Sequence, residues 1–252
     1  MVDLTAPIEA SPPSTPAFQR TDIQYLSHAE GAAEIEGLFG IGADLLRDGE
    51  GWTRETVTLG THNATHVDAP WHYNSTIDGA PAETIEQLPL QWFIGPGVVV
   101  DFTERADGEV IDIDDMRSGA TAAAGRELQG GDIVLVHTGR DAFYGQDDYI
   151  ARGPGVSAAA THWLYDQGVR VMGIDAWGWD RPLHLQAQDT LRERRTGIFW
   201  EAHQAGLRYS QIERLVGLGA LPPTGFTVAC FPLPIVGASA APARVVAILE
   251  DD

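Results

Sequence analysis

The chain has 252 residues, with 36 Asp and Glu against 16 Lys and Arg, a formal net charge of -20 at pH 7. Such an excess of carboxylates repels phosphate backbones and anionic lipid, so nucleic acid and membrane surfaces are excluded as partners. With 44% hydrophobic and 21% charged residues the composition is that of a globular protein, long enough to bury a substantial core.

In chain order, Pro7, Pro12, Pro13 and Pro16 fall among small polar residues, which predicts an arm over residues 1–20 ahead of a single domain over 21–252. Met1–Thr5 lacks the basic-then-apolar layout of a secretory signal, and no window approaches the ~20 apolar residues of a membrane span. A cytoplasmic location is the expectation. Residues 57–67 read as extended, with Thr, Val and His alternating. The Val-rich runs 96–102, 133–138 and 169–175 read as buried strands, each introduced by Gly. A helix is predicted over 157–167, stopped by Gly168. Two more are predicted over 199–207 and 209–215, and strands over 226–231 and 243–249. The acidic runs Asp112-Ile113-Asp114-Asp115 and Glu250-Asp251-Asp252 read as solvated. Cys230, the single cysteine, excludes an internal disulfide and reads as a buried thiol. Strands interleaved with few helices predict an α/β fold, a mixed central sheet or open barrel with helices outside. No Gly-x-Gly-x-x-Gly or phosphate-binding loop is present, so nucleotide cofactors have no support.

Chemistry concentrates in Thr61-His62-Asn63-Ala64-Thr65-His66-Val67-Asp68-Ala69-Pro70-Trp71-His72, which holds three of the eight histidines. Positions 62, 66, 68 and 72 share one parity, so an extended backbone turns all four side chains to one face. A helix would swing Asp68 and His72 away, and Thr65, Val67 and Pro70 disfavour one. On a straight strand residues four apart are separated by ~13 Å, whereas metal donors sit ~2.1 Å from a shared ion. A bend within Asn63-Ala64-Thr65 is therefore predicted. His62, His66 and Asp68 form a mixed nitrogen and oxygen set suited to Zn²⁺ or Mn²⁺ with positions open for water and substrate, and His72 is the candidate proton shuttle.

The segment resembles the cyclase-like metal hydrolases, among them bacterial kynurenine formamidases and isatin hydrolases, whose motif reads His-x-Gly-Thr-His-x-Asp-x-Pro-x-His. Ala64 stands here where that motif has Gly. The stretches Gly173–Asp180, Phe199–Gln204, Gln211–Leu215 and Cys230–Ala240 resemble the same family, so the likeness runs from about residue 20 to the end. The resemblance implies a swivelling β/β/α fold, a homo-oligomer (dimer or tetramer), and metal-assisted hydrolysis of an amide, formamide or lactam C–N bond in a small molecule. It also implies either one metal or a second metal or substrate site using His203 and Glu213. Trp71, Asp175 and Trp177 are candidates for the substrate pocket. Two rival readings are a biosynthetic cyclase or dehydratase using the same metal, and a non-catalytic metal-binding protein.

Overall fold

The computed structural model of the protein describes residues 1–12, 15 and 17–249; Pro13, Pro16 and the acidic end Glu250-Asp251-Asp252 lie outside the described residues. The chain divides into two compact units, residues 8–63 and residues 1–7 with 64–252.

The strands are β1 (Val2–Asp3), β2 (Asp22–Leu26), β3 (Arg54–Thr58), β4 (His66–Asp68), β5 (Thr76–Ile77), β6 (Ala80–Pro81), β7 (Ile94–Asp101), β8 (Val110–Ile111), β9 (Ile133–His137), β10 (Gly155–Val156), β11 (Val171–Ile174), β12 (Ser210–Glu213), β13 (Phe226–Ala229), β14 (Ala240–Pro242) and β15 (Val246–Leu249). The helices are α1 (His28–Phe39), α2 (Pro70–Tyr73), α3 (Ile113–Ala124), α4 (Ala158–Asp166) and α5 (Leu183–Glu193).

The smaller unit is the β2–β3 antiparallel ribbon with α1. Ser27 and Glu30 close a capping box at the start of α1, and Gly40 ends it at φ 70. The carbonyl of Trp52 lies where a Cβ on Gly31 would stand, 1.8 Å away, so only glycine allows that approach.

The larger unit carries a nine-stranded mixed sheet in the order β1-β15-β13-β7-β9-β11-β12-β4-β14. Its centre, β7 to β9 to β11 to β12, is parallel; the flanking pairs are antiparallel. Parallel strands covered on both faces need apolar residues at every position, which explains the continuous runs seen in the sequence. Val99, Ile133, Leu135, Val171 and Ile212 enter one core. Val98, Val100, Val134, Val136, Met172 and Ile174 enter the other, with Met116 and Ala120 of α3 and Ala160 and Leu164 of α4. The expected α/β architecture with a mixed central sheet is thus found.

Several local expectations need correction. Residues 209–215, read as helix, contain β12, because a place between β11 and β4 satisfies the backbone and buries Ser210–Glu213 completely or nearly so. Residues 199–207 form turns, with Trp200 at φ 60. The extended stretch 57–67 is interrupted by a turn between β3 and β4. The acidic run at 112–115 is solvated as expected, with Asp112 and Asp114 exposed, and Asp112 also caps α3 by accepting from Asp114 N and Asp115 N. At the head of the expected arm, β1 pairs with β15, and Leu4 and Ala6 are fully buried.

Candidate metal centre

The predicted bend is at Ala64, which takes φ 53, the left-handed region that suits the glycine of the resembled motif. That conformation has a use. The Ala64 carbonyl accepts a hydrogen bond from His66 Nδ1 at 2.9 Å, which leaves His66 Nε2 as the free-electron-pair nitrogen facing inward. On β4, His66 and Asp68 are two residues apart and therefore share a face; both are fully buried. Pairing with β12 places Glu213 directly opposite His66. Pro70 then starts α2 at its first turn, and the tight turn brings His72 Nε2 to 4.0 Å from Asp68 Oδ2.

Four buried groups form a ring. Asp68 presents Oδ1 to His66 Nε2 at 3.3 Å and Oδ2 to His203 Nε2 at 3.9 Å. Glu213 presents Oε2 to His66 Nε2 at 3.6 Å and Oε1 to His203 Nε2 at 3.4 Å. Each carboxylate therefore bridges the same two imidazoles. Glu213 Oε1 also accepts the Trp179 backbone N–H at 2.9 Å.

Asp180, which sequence reasoning did not single out, sets the second imidazole. Its Oδ2 accepts His203 Nδ1 at 2.5 Å and His203 N at 3.1 Å, and its Oδ1 accepts Ala202 N at 2.9 Å. The turn 199–205 is tied to the loop after β11 through this one carboxylate, and Nε2 of His203 is aimed at Asp68 and Glu213. Nothing in the local sequence around Asp180 marks it, because the partner segment is 22 residues away.

The electrostatics state what the ring lacks. Burial would depress the His203 pKa, but the Asp180 and Glu213 carboxylates outweigh it and raise it to about 10. Burial would raise Glu213, but its hydrogen bond to His203 brings it below the usual carboxylate value. Burial, with the Asp68 charge adding to it, pushes the Tyr73 phenol well up. Carboxylates thus outnumber cations in a water-poor volume, and the imidazole of His203 takes up a proton to compensate. A divalent cation supplies that charge directly. His66, Asp68 and Glu213 offer donor atoms within 4.8 Å of one another, all buried, so the donor set fits a metal.

His62 lies in the turn ending the smaller unit and is half-buried. Asp175 is committed elsewhere: it accepts Thr138 N at 2.8 Å, Thr138 Oγ1 at 2.6 Å and Gly139 N at 2.8 Å, locking the end of β9. Trp71 is 45% exposed, and Trp177 lies beneath the Arg214 guanidinium. Two rings reach the cluster: Trp200, stacked on His203 with centroids 4.9 Å apart and edge-on to His72 at 4.9 Å, and Tyr73, edge-on to His203 at 5.4 Å. Cys230 is fully buried on the far core and burial pushes its thiol up, as expected of an inert residue.

A mixed α/β sheet that gathers two imidazoles and two carboxylates into one buried ring defines a protein of the metal-site class. The family model described as putative cyclase matches residues 2–181, and the chain belongs to this Cyclase family. A kynurenine formamidase of Salinibacter ruber is 31% identical over 199 residues, 78% of this chain and 79% of the relative. One from Maricaulis maris is 31% identical over 192 residues, 75% of this chain and 78% of the relative. Isatin hydrolase A from Ralstonia solanacearum has the same fold, with TM-score 0.75 at 24% identity, covering 99% of this chain and 91% of that one.

Proposed function

We propose that the protein is a metal-dependent hydrolase that cleaves an amide, formamide or lactam C–N bond of a small molecule. The observation that carries this reading is the ring of Asp68 and Glu213 bridging His66 and His203, with His72 beside it. Membership of a family that includes kynurenine formamidases more than 30% identical supports the bond type. No described helix is long and apolar enough to cross a membrane, in keeping with a small-molecule substrate met in water.

His66, Asp68 and Glu213 would hold one divalent ion, with His62 joining them on the strength of the motif spacing; Asp68, His203 and Glu213 would hold a second. Zn²⁺ and Mn²⁺ both suit the set. When bound, the metal lowers the pKa of water to about 7 and polarises a carbonyl oxygen. The protein groups do the rest. His72, four residues past Asp68 and 20% exposed at its side chain, accepts the proton of the attacking water and delivers it to the leaving nitrogen. The C–N bond breaks, and the acyl half leaves as a carboxylic acid. Trp200 covers His72 and His203 and keeps bulk water from their rings. A cytoplasmic homo-oligomer, dimer or tetramer, is part of the same proposal.

The description of the family as putative cyclases favours cyclisation or dehydration as the second reading, with His72 moving a proton next to a polarised ketone. A panel of amides, formamides, lactams and lactones, assayed for released formate or ring-opened acid, separates the two. In His72→Ala, metal content per chain should be unchanged while kcat falls about 10²–10⁴-fold. Full turnover in that variant refutes the assigned role, and no turnover of any panel member by the metal-loaded protein refutes hydrolysis.

A further inference from the structure

Arg214 is the one arginine among the described residues that is buried, at 8% exposure. Half-buried Arg140, Arg181 and Arg208 are ion-paired, with Asp107, Asp189 and Glu83, while half-buried Arg170 donates to the Tyr165 and Val169 carbonyls. Among the described residues Arg214 has no carboxylate within ion-pair distance. Its guanidinium lies over the Trp177 ring at 4.7 Å, and its Nε donates to the Trp177 carbonyl at 3.3 Å. A guanidinium has five N–H donors in a planar fork, and this one uses a single donor among the described residues. The two carboxylates nearest along the chain and the loop are already used, Glu213 by His66, His203 and Trp179 N, and Asp175 by Thr138 and Gly139.

The position is enforced. Arg214 holds φ 60, which a side chain rarely adopts. The strained backbone is pinned from two sides: Thr65 Oγ1 donates to Arg214 O at 2.6 Å, and Arg214 N donates to Ala176 O at 3.1 Å. Thr65 stands next to His66, and Arg214 next to Glu213. The loop that gives Trp179 N–H to Glu213 also gives Trp177 to the guanidinium. Buried guanidinium N–H donors left without acceptors are costly, and their retention one residue from the ring calls for an acceptor that arrives with the ligand.

We infer that Arg214 receives a carboxylate of the substrate, separate from the bond that is cleaved, and so selects substrates carrying one negative charge. A single planar guanidinium matches a carboxylate in shape and charge, and a dianion such as phosphate would leave one charge uncompensated beside Asp68 and Glu213. This rests on the hydrolase reading.

The test compares formanilide with its ortho, meta and para carboxylates, on metal-loaded wild type, Arg214→Met and Arg214→Lys. One carboxylate isomer should exceed formanilide at least tenfold in kcat/KM with the wild type. That ratio should fall to about one in Arg214→Met and lie between in Arg214→Lys, the drop appearing mainly in KM. Calorimetric binding of the same four compounds gives a readout independent of turnover. An anion preference in binding that needs Arg214, without formate release, overturns hydrolysis and leaves the carboxylate site standing. Hydrolysis with no isomer preferred by the wild type, or a preference unchanged in Arg214→Met, overturns the site and leaves the hydrolase reading intact. If neither variant folds, the wild-type isomer series alone decides.

Discussion

Replacing Ala64 by Gly tests whether the bend that aims His66 is strained. Ala64 sits at φ 53 and is 7% exposed. A left-handed alanine costs about 1–2 kcal/mol, which glycine removes. Against that, glycine adds about 0.4–1 kcal/mol of unfolded-chain entropy and gives up about 0.8 kcal/mol of methyl burial. These effects nearly cancel, so Ala64→Gly should change stability by less than about 1 kcal/mol in either direction. Ala69 is the control, fully buried five residues on but with φ -98. Ala69→Gly keeps both penalties without relief and should lose about 1.2–1.8 kcal/mol. At about 2–4 °C per kcal/mol, its melting point falls by roughly 2–7 °C while that of Ala64→Gly stays close to wild type. Urea titrations at equal, saturating metal give the comparison, with constant m confirming two comparable transitions. Equal losses in the two variants would show that Ala64 carries no strain.

Asp180→Asn presents an amide where three N–H groups now point at a carboxylate, so His203 loses its fixed orientation. Metal affinity, read by competition with a chelator, should fall about 10–100-fold, and an unchanged affinity would remove Asp180 from the account of the site. Asp175 yields a pH signature. Burial raises its pKa from 3.8 to about 6 despite hydrogen bonds from Thr138 and Gly139. The folded state therefore binds this proton more tightly than the unfolded chain, and wild-type stability declines as pH rises from about 4 to about 6. Two pH units correspond to about 3 kcal/mol, so Asp175→Asn should gain on wild type by about that amount across the window. A pH-independent difference between the two urea midpoints would contradict it.

Much of this protein is legible in its sequence, for a physical reason. Strands β9 and β11 and the second half of β7 are buried on both faces, so each is written as an unbroken apolar run. His66 and Asp68 share a face of β4, as their parity states, and the small residues before them state the bend; His72 instead reaches Asp68 from the helical turn α2 that starts at Pro70, which parity does not foresee. Segment 199–215 behaves differently. Its local pattern suits a helix, yet 210–213 is a strand because the open edges of β11 and β4 offer it two ladders at once, and that choice sets Glu213 against His66. Asp180 gains its meaning only when the turn carrying His203 folds back onto the loop after β11. Residues joined through the backbone within one short stretch were determined by the sequence alone. The ring was decided by tertiary contacts that join residues the chain keeps far apart: strand pairing sets Glu213 against His66, and Asp180 turns His203 onto Asp68 and Glu213.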